Sequence, residues 1–566
     1  MRATLFFAAA IAVSASTSHA VAATNTAAAA EPAPPPVRLA VVISIDQFRA
    51  DYLERFAPWF GDDGFKRLML EGAWYQDNRY RHAVTKTAPG HATILSGTHA
   101  DTNGIIGNDW WDTETNEMVA SVEDADAPLI GAPPAPRSPG GYFERKSGRS
   151  PRRFLGTTVG DQLKLRFGDR SRVIAVATKD RSAILLGGRL ADGAYWQEGN
   201  NFVTSTYYRA ELPAWVADFN AAGQADALFG STWERLLPAD VYDAVQGPDD
   251  APGEFAGDGL TRTFPHRFDG GQARISPAFY DALDSAPASA ALLADFALAA
   301  IEAENLGRHP ATDLLAISFS QMDYAGHNFG PDSHEVMDSV LRLDRVLAGL
   351  FAALDATVGR EHYLVVLTAD HGAAPLPEHV AAQREGGVPS GRVVNKTFDQ
   401  TVEAALSQTF GAPPADIRWA QRDNFGYRFN RKTLADLQVD PADAAREAKK
   451  ALLTRPEISH VFTRDELLAA PAFGDTVLAM SRRSFNAARS PDVAYVLAPY
   501  FIDRSGTGTN HGTPHDYDTQ VPLQWWGAGV PAGIHSERTA VEDIARTLAA
   551  ALGIPAPPQA EGRRLF

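Results

Sequence analysis

Residues 39–46, Leu-Ala-Val-Val-Ile-Ser-Ile-Asp, decide the fold. Apolar residues fill the run without alternation, Ser44 alone interrupts it, and a carboxylate closes it. A strand with one wet face would alternate, so a continuous run marks a strand buried on both faces, as in a parallel sheet. The same character returns at 172–178 (RVIAVAT), 313–319 (DLLAISF) and 363–368 (YLVVLT), and a fifth run, 521–526 (VPLQWW), lies near the end. Residues 159–166, 290–303, 334–354 and 541–552 carry apolar side chains at the spacing of one helix face, and Gly553 and Pro555 stop the last of them. This alternation predicts an α/β fold, a doubly wound, mostly parallel sheet flanked by helices. Ligands of such sheets bind beyond the carboxyl ends of the strands.

Three stretches break the alternation, at about 110–151, 200–284 and 384–475. They are rich in Gly, Pro, Asp and aromatic residues and read as irregular insertions around the active-site rim. Arg145, Lys146, Arg149, Arg152 and Arg153 read there as a solvated basic loop. The chain start reads as an export leader over 1–20, with Arg2, an apolar run over 5–13 and a small-residue cleavage site at Ser18-His19-Ala20. An Ala- and Pro-rich linker over 21–37 follows, then a single catalytic domain over 38–566. The leader is too short to span a bilayer, and no later run approaches about 20 apolar residues. The expectation is therefore a periplasmic or secreted protein with no membrane span.

The chain has no Cys, which excludes a lipid-anchored cysteine, disulfides and thiolate metal ligands. A net charge of -17 argues against nucleic-acid binding, which needs clustered Lys and Arg. An acidic protein that handles an anion must make positive charge locally, and bound metal ions do so.

Asp46 ends the first strand. Asp323 and His327 follow the 313–319 strand four residues apart, so a helix there would put both on one face. Asp370-His371 directly follows another strand, and His511 lies in the Gly-rich turn 508–518. Each signal alone is weak: Asp46 could be a turn residue, and a D-x-x-x-H pair is more often structural. Together they make three Asp and three His at strand ends and turns, an oxygen and nitrogen donor set that suits two zinc ions. Thr87, followed by Pro89, falls at a helix N-terminus, where backbone N–H groups attract phosphate. Read in isolation, it is more often a simple cap.

The segments 41–53 (VVISIDQFRADYL), 85–112 (TKTAPGHATILSGTHADTNGIIGNDWWD), 150–165, 177–188 (ATKDRSAILLGG), 318–333 (SFSQMDYAGHNFGPDS), 366–373 (VLTADHGA) and 508–529 (GTNHGTPHDYDTQVPLQWWGAG) resemble, in order, the bacterial PafA-type zinc alkaline phosphatases with a threonine nucleophile, within the alkaline phosphatase superfamily. The resemblance implies an alkaline-phosphatase-like fold and hydrolysis of phosphate monoesters through a phospho-threonine on Thr87. It implies one Zn2+ on Asp323, His327 and His511, and a second on Asp46, Asp370 and His371 with the Thr87 oxygen. His515 is a rival for His511, which is preferred because it precedes Gly512. Lys179 and Arg181, the family's Lys-x-Arg pair, and Asn108 would grip the phosphoryl oxygens, where the surface ion-pair reading of the two cations is the alternative. His91 reads as a packing or supporting residue. The implied partners are small phosphomonoesters over a broad range, acted on by a monomer. The rival readings are a phosphodiesterase or nucleotide pyrophosphatase on the same scaffold, and a non-catalytic relative that only binds phosphate or metal.

Overall fold

The computed structural model describes residues 37–132, 148–255, 259–383, 387–414, 416–471 and 473–566. The expected leader and nearly all of the linker lie outside the described residues, as do Arg145 and Lys146. Eleven described strands form the main sheet: β1 (Leu39–Ile45), β2 (Ala73–Tyr75), β3 (Glu123–Ile130), β4 (Gly148–Arg149), β5 (Val173–Ala177), β6 (Gly193–Glu198), β7 (Asn201–Ser205), β8 (Asp313–Phe319), β9 (Tyr363–Thr368), β10 (Leu523–Gly527) and β11 (Gly533–His535). Their order is β11-β2-β10-β9-β1-β8-β5-β6-β7-β3-β4. The middle of the sheet, β9-β1-β8-β5-β6, is parallel throughout.

The continuous apolar runs are these central strands, and every residue of β1, β8 and β9 is buried. The fifth run differs in direction, since β10 pairs with β9 antiparallel. Strands from two of the expected insertions, β3 and β4 from the first and β7 from the second, extend the sheet at its other edge by antiparallel pairing. Residues 420–422, 426–429, 458–463 and 493–497 form a separate four-stranded sheet that shares a second apolar cluster with the helix Asn395–Phe410.

Helices α1 (Thr87–Ser96), α2 (Val159–Phe167), α3 (Asp180–Gly187) and α7 (Asp543–Ala551) pack together beside β5 and β6, while α4 (Pro287–Ala303) and α6 (His334–Thr357) pack on each other, with α4 also against β5 and β8. The short α5 (Gln321–Phe329) follows β8 and rests on α6. No single helix among the described residues is long and apolar enough to cross a membrane.

Registry fixes the position of the site. Ser44 of β1 pairs with Ser318 of β8 and Thr368 of β9, and Ser318 pairs with Ala177 of β5. Four neighbouring strands therefore end level, and the residues after them share one edge.

The C-terminal segment is clamped by charge. Glu542, fully buried just before α7, accepts from Arg81 at 3.2 Å and faces His99 Nε2 at 3.3 Å. Burial pushes its carboxyl up, but His99 and Arg81 outweigh that and hold it down at about 2. A carboxyl lowered on folding stabilises fully above its unfolded value of about 4.5 and loses that contribution as pH falls toward the folded value, on the order of 3 kcal/mol here. Glu542→Gln should therefore melt well below the wild type at pH 6. The gap should close as pH is lowered from about 4.5 to 2, followed by scanning calorimetry of both proteins.

Candidate metal centre

The level strand ends deliver the polar residues. Asp46 follows β1, Lys179 follows β5, Asp323 sits in the first turn of α5 after β8, and Asp370-His371 follows β9. Two groups have ligand atoms all within 4.8 Å of one another: Asp46, Asp370 and His371, and Asp323, His371 and His511. His371 belongs to both. His327 lies beside the second group, with Nε2 3.3 Å from Asp323 Oδ1 and its ring 5.1 Å from that of His511. The D-x-x-x-H spacing is helical as expected, so the two side chains meet on one face of α5.

The donor set fits divalent ions. His327 Nδ1 meets the Thr509 carbonyl at 2.9 Å, His511 Nδ1 the Thr85 carbonyl at 2.7 Å, and His371 Nδ1 the Gly372 carbonyl at 3.0 Å. A carbonyl only accepts, so each Nδ1 carries the proton and each Nε2 presents a lone pair, the arrangement that orients histidine ligands. Burial pushes His371 and His511 below their ordinary values, which favours the neutral form a metal ligand requires. His371 Nε2 lies 3.4 Å from both Asp46 Oδ1 and Asp370 Oδ2. Asp46 Oδ1 and His371 Nε2 have no hydrogen-bond partner among the described residues, and Asp370 Oδ2 faces only His91 Nδ1 besides, at 3.2 Å. Burial, reinforced by Asp46, pushes the Asp370 carboxyl well above its usual range. Two buried carboxylates this close either share a proton or take a cation between them.

Lys179 supplies one. Its ammonium lies 2.6 Å from Asp46 Oδ2 and also bonds Asp323 Oδ2, joining the two groups. Burial lowers this amine, but Asp323 and Asp46 outweigh it and raise it above its ordinary value. For Asp323, burial pushes up while Lys179 and His327 pull further down, and its carboxyl stays well below the usual range. One ammonium among three carboxylates still leaves net negative charge.

Thr87 is buried at the first position of α1. The next amide, Ala88 N–H, donates to Asn108 Oδ1 at 2.8 Å, which assigns the amide and leaves Asn108 Nδ2 as a donor near the helix start. Helix α1 approaches β9 so closely that a Cβ on Gly90 would fall 2.2 Å from the Asp370 carbonyl oxygen. His91, one turn after Thr87, has Nδ1 2.8 Å from the Thr87 carbonyl and 3.2 Å from Asp370 Oδ2, with Nε2 2.8 Å from Ser318 Oγ. Its Nδ1 faces two acceptors and must hold the proton, so Nε2 accepts from the Ser318 hydroxyl. His91 thus supports the site, as expected of it, and burial depresses it to about 4.

His515, the rival to His511, turns away and bonds the Leu497 carbonyl at 2.9 Å. Arg181 is buried, and its backbone N–H donates to Asp180 Oδ1 at 2.6 Å. Arg149 corrects the solvated basic loop expected there: it is buried, and its Nε lies 2.6 Å from Asp180 Oδ2. A long basic side chain beside one buried acid is stable inside, which a run of charges in sequence does not reveal. Sequence reasoning also passed over Gln47, whose amide donates to Asp323 Oδ1 at 2.8 Å. Its place directly after Asp46 was the available signal.

The family model described as type I phosphodiesterase / nucleotide pyrophosphatase matches residues 40–496. The alkaline phosphatase PhoV of Synechococcus elongatus is 35% identical over 539 residues, covering 93% of this chain and 92% of that protein. The alkaline phosphatase PafA of Elizabethkingia meningoseptica is 34% identical, covering 93% of each. A crystal structure of wild-type PafA superposes with a TM-score of 0.84 at 32% identity, over 94% of this chain and 99% of that one.

Asp46 and His511 each lie in one group only, so Asp46→Ala and His511→Ala should each lower the metal content of purified protein. Elemental analysis after dialysis against a weak chelator measures it, and unchanged content in either variant would overturn the metal reading of its group.

Proposed function

The chain belongs to the PafA-type bacterial alkaline phosphatases of the type I phosphodiesterase/nucleotide pyrophosphatase family, and we propose from that premise how its residues divide the work. It is a metal-dependent alkaline phosphatase acting on phosphate monoesters. In our reading both ions are Zn2+, one on Asp323, His327 and His511 and the other on Asp46, Asp370, His371 and the Thr87 oxygen. Thr87 is the nucleophile. The protein works as a monomer outside the cytoplasm, exported by the 1–20 leader, on a broad range of small phosphomonoesters.

The observation that carries this reading is the buried pair of groups at the strand ends, with carboxylate and imidazole atoms turned toward one another and Thr87 at the adjoining helix start. Zinc ions, when bound, acidify a hydroxyl and stabilise a departing oxygen. The Thr87 oxygen attacks phosphorus as the bond to the ester oxygen breaks, leaving phosphate on Thr87 and releasing the alcohol. Attack by water then frees inorganic phosphate and restores the hydroxyl. The dipole of α1 favours the anion beside Thr87, while its Ala88 N–H is taken by Asn108 Oδ1. Asn108 Nδ2, Lys179 and Arg181 hold the non-bridging oxygens in a loose transition state where positioning and charge dominate.

The diesterase reading keeps one point in its favour, the description of the matched family model. Charge separates the two. A monoester dianion offers one more terminal anionic oxygen than a diester, and an Arg fork suits two such oxygens.

Thr87→Ala should reduce turnover on the order of a thousandfold or more, while Thr87→Ser keeps substantial activity because it loses only a methyl group. Lys179→Ala and Arg181→Ala should each lower monoester kcat/KM roughly tenfold to a hundredfold, and diester kcat/KM far less. Matched monoester and diester substrates with one leaving group provide the measurement. Equal losses on both would favour the diesterase, and near-normal Thr87→Ala turnover would sink the covalent route.

A further inference from the structure

We propose that Gln47 is a positioning residue that sets the Asp323 and Asp370 carboxylates of the two metal groups in a common frame. The inference rests on reading those groups as metal sites. Gln47 follows β1, which lies between β8 and β9, so it stands midway between the residues those strands deliver. Its backbone N–H donates to Asp370 Oδ1 at 3.2 Å, and its side-chain Nε2 donates to Asp323 Oδ1 at 2.8 Å. One residue thus holds an oxygen from each group.

Two further features show that the placement is enforced. Gln47 has φ of 61°, a left-handed conformation that a residue with a side chain adopts at a cost. It is also 2% exposed, so no solvent contact explains the choice. The left-handed turn is what aims the N–H and the amide at neighbours on either side. The opposing helix makes room: a Cβ on Gly326, inside the Asp323–His327 turn, would fall 1.9 Å from Gln47 Oε1. Gln47 Oε1 therefore faces the backbone of α5 and its NH2 faces the carboxylate. The reverse amide would set oxygen against oxygen.

The side-chain bond reaches Asp323 alone, whereas the backbone bond to Asp370 survives any substitution that keeps the turn. The two ions should therefore respond unequally. Metal-free protein is titrated with zinc against a competing chelator, and urea unfolding of the metal-free form is recorded in parallel. Gln47→Met keeps the length and the left-handed residue but cannot donate. It should weaken one ion by 10- to 100-fold, the range seen when a ligand's supporting bond is lost, and leave the other within about threefold. Gln47→Gly should show the same loss without a lower urea midpoint, since glycine suits the turn. Should either variant bind both ions as tightly as the wild type, Gln47 merely fills space and the inference fails alone. A wild type that binds fewer than two ions would overturn it together with the metal reading.

Discussion

Three carboxylates, Asp46, Asp323 and Asp370, lie buried within reach of one another at the edge of the sheet, and a single ammonium, Lys179, sits between two of them. Ionised groups taken out of water must be compensated or must take up protons. Burial and the neighbouring Asp46 drive the Asp370 carboxyl upward even with Lys179 close by. Divalent ions among neutral imidazoles resolve the conflict, and three histidines there keep the proton on Nδ1 and turn Nε2 toward the carboxylates. The concentration of negative charge at the strand ends is what suits the cluster to divalent ions.

The scaffold is arranged to keep that conflict from relaxing. Parallel strands in level register place the carboxylates without long loops, and side chains on the ends of strands move less than those on loops. Helix α1 is pressed against the Asp370 backbone across Gly90, and His91 ties the helix to Asp370 and β8. Thr87 therefore cannot shift relative to Asp370 without disturbing both. Preorganisation of this kind lets fixed charges act without rearrangement in the transition state.

Lys179 carries the charge balance of the site: its ammonium bonds Asp46 and Asp323, one carboxylate from each group. Arg181 and Arg149 share Asp180, which burial pushes up while Arg149 and Arg181 hold its carboxyl below its usual range. That buried acid, Asp180, is the middle residue of the Lys179-Asp180-Arg181 segment.

What the sequence determined by itself was the sheet and the donor types. Continuous apolar runs such as 39–45 have one stable environment, a strand covered on both faces, and the residue types after them limit the chemistry to oxygen and nitrogen ligands. The i, i+4 spacing of Asp323 and His327 was legible because helical geometry is local. Strand direction was not: β10 carries the same kind of apolar run as its neighbours yet runs antiparallel, since a buried run looks alike in either direction. Only the tertiary structure decided that His511 faces Asp323 while His515 turns to Leu497, that Arg149 goes inside, and that Gln47 links residues 276 and 323 positions away. Those outcomes depend on which distant backbone comes alongside, and no local pattern of apolar and polar residues encodes that.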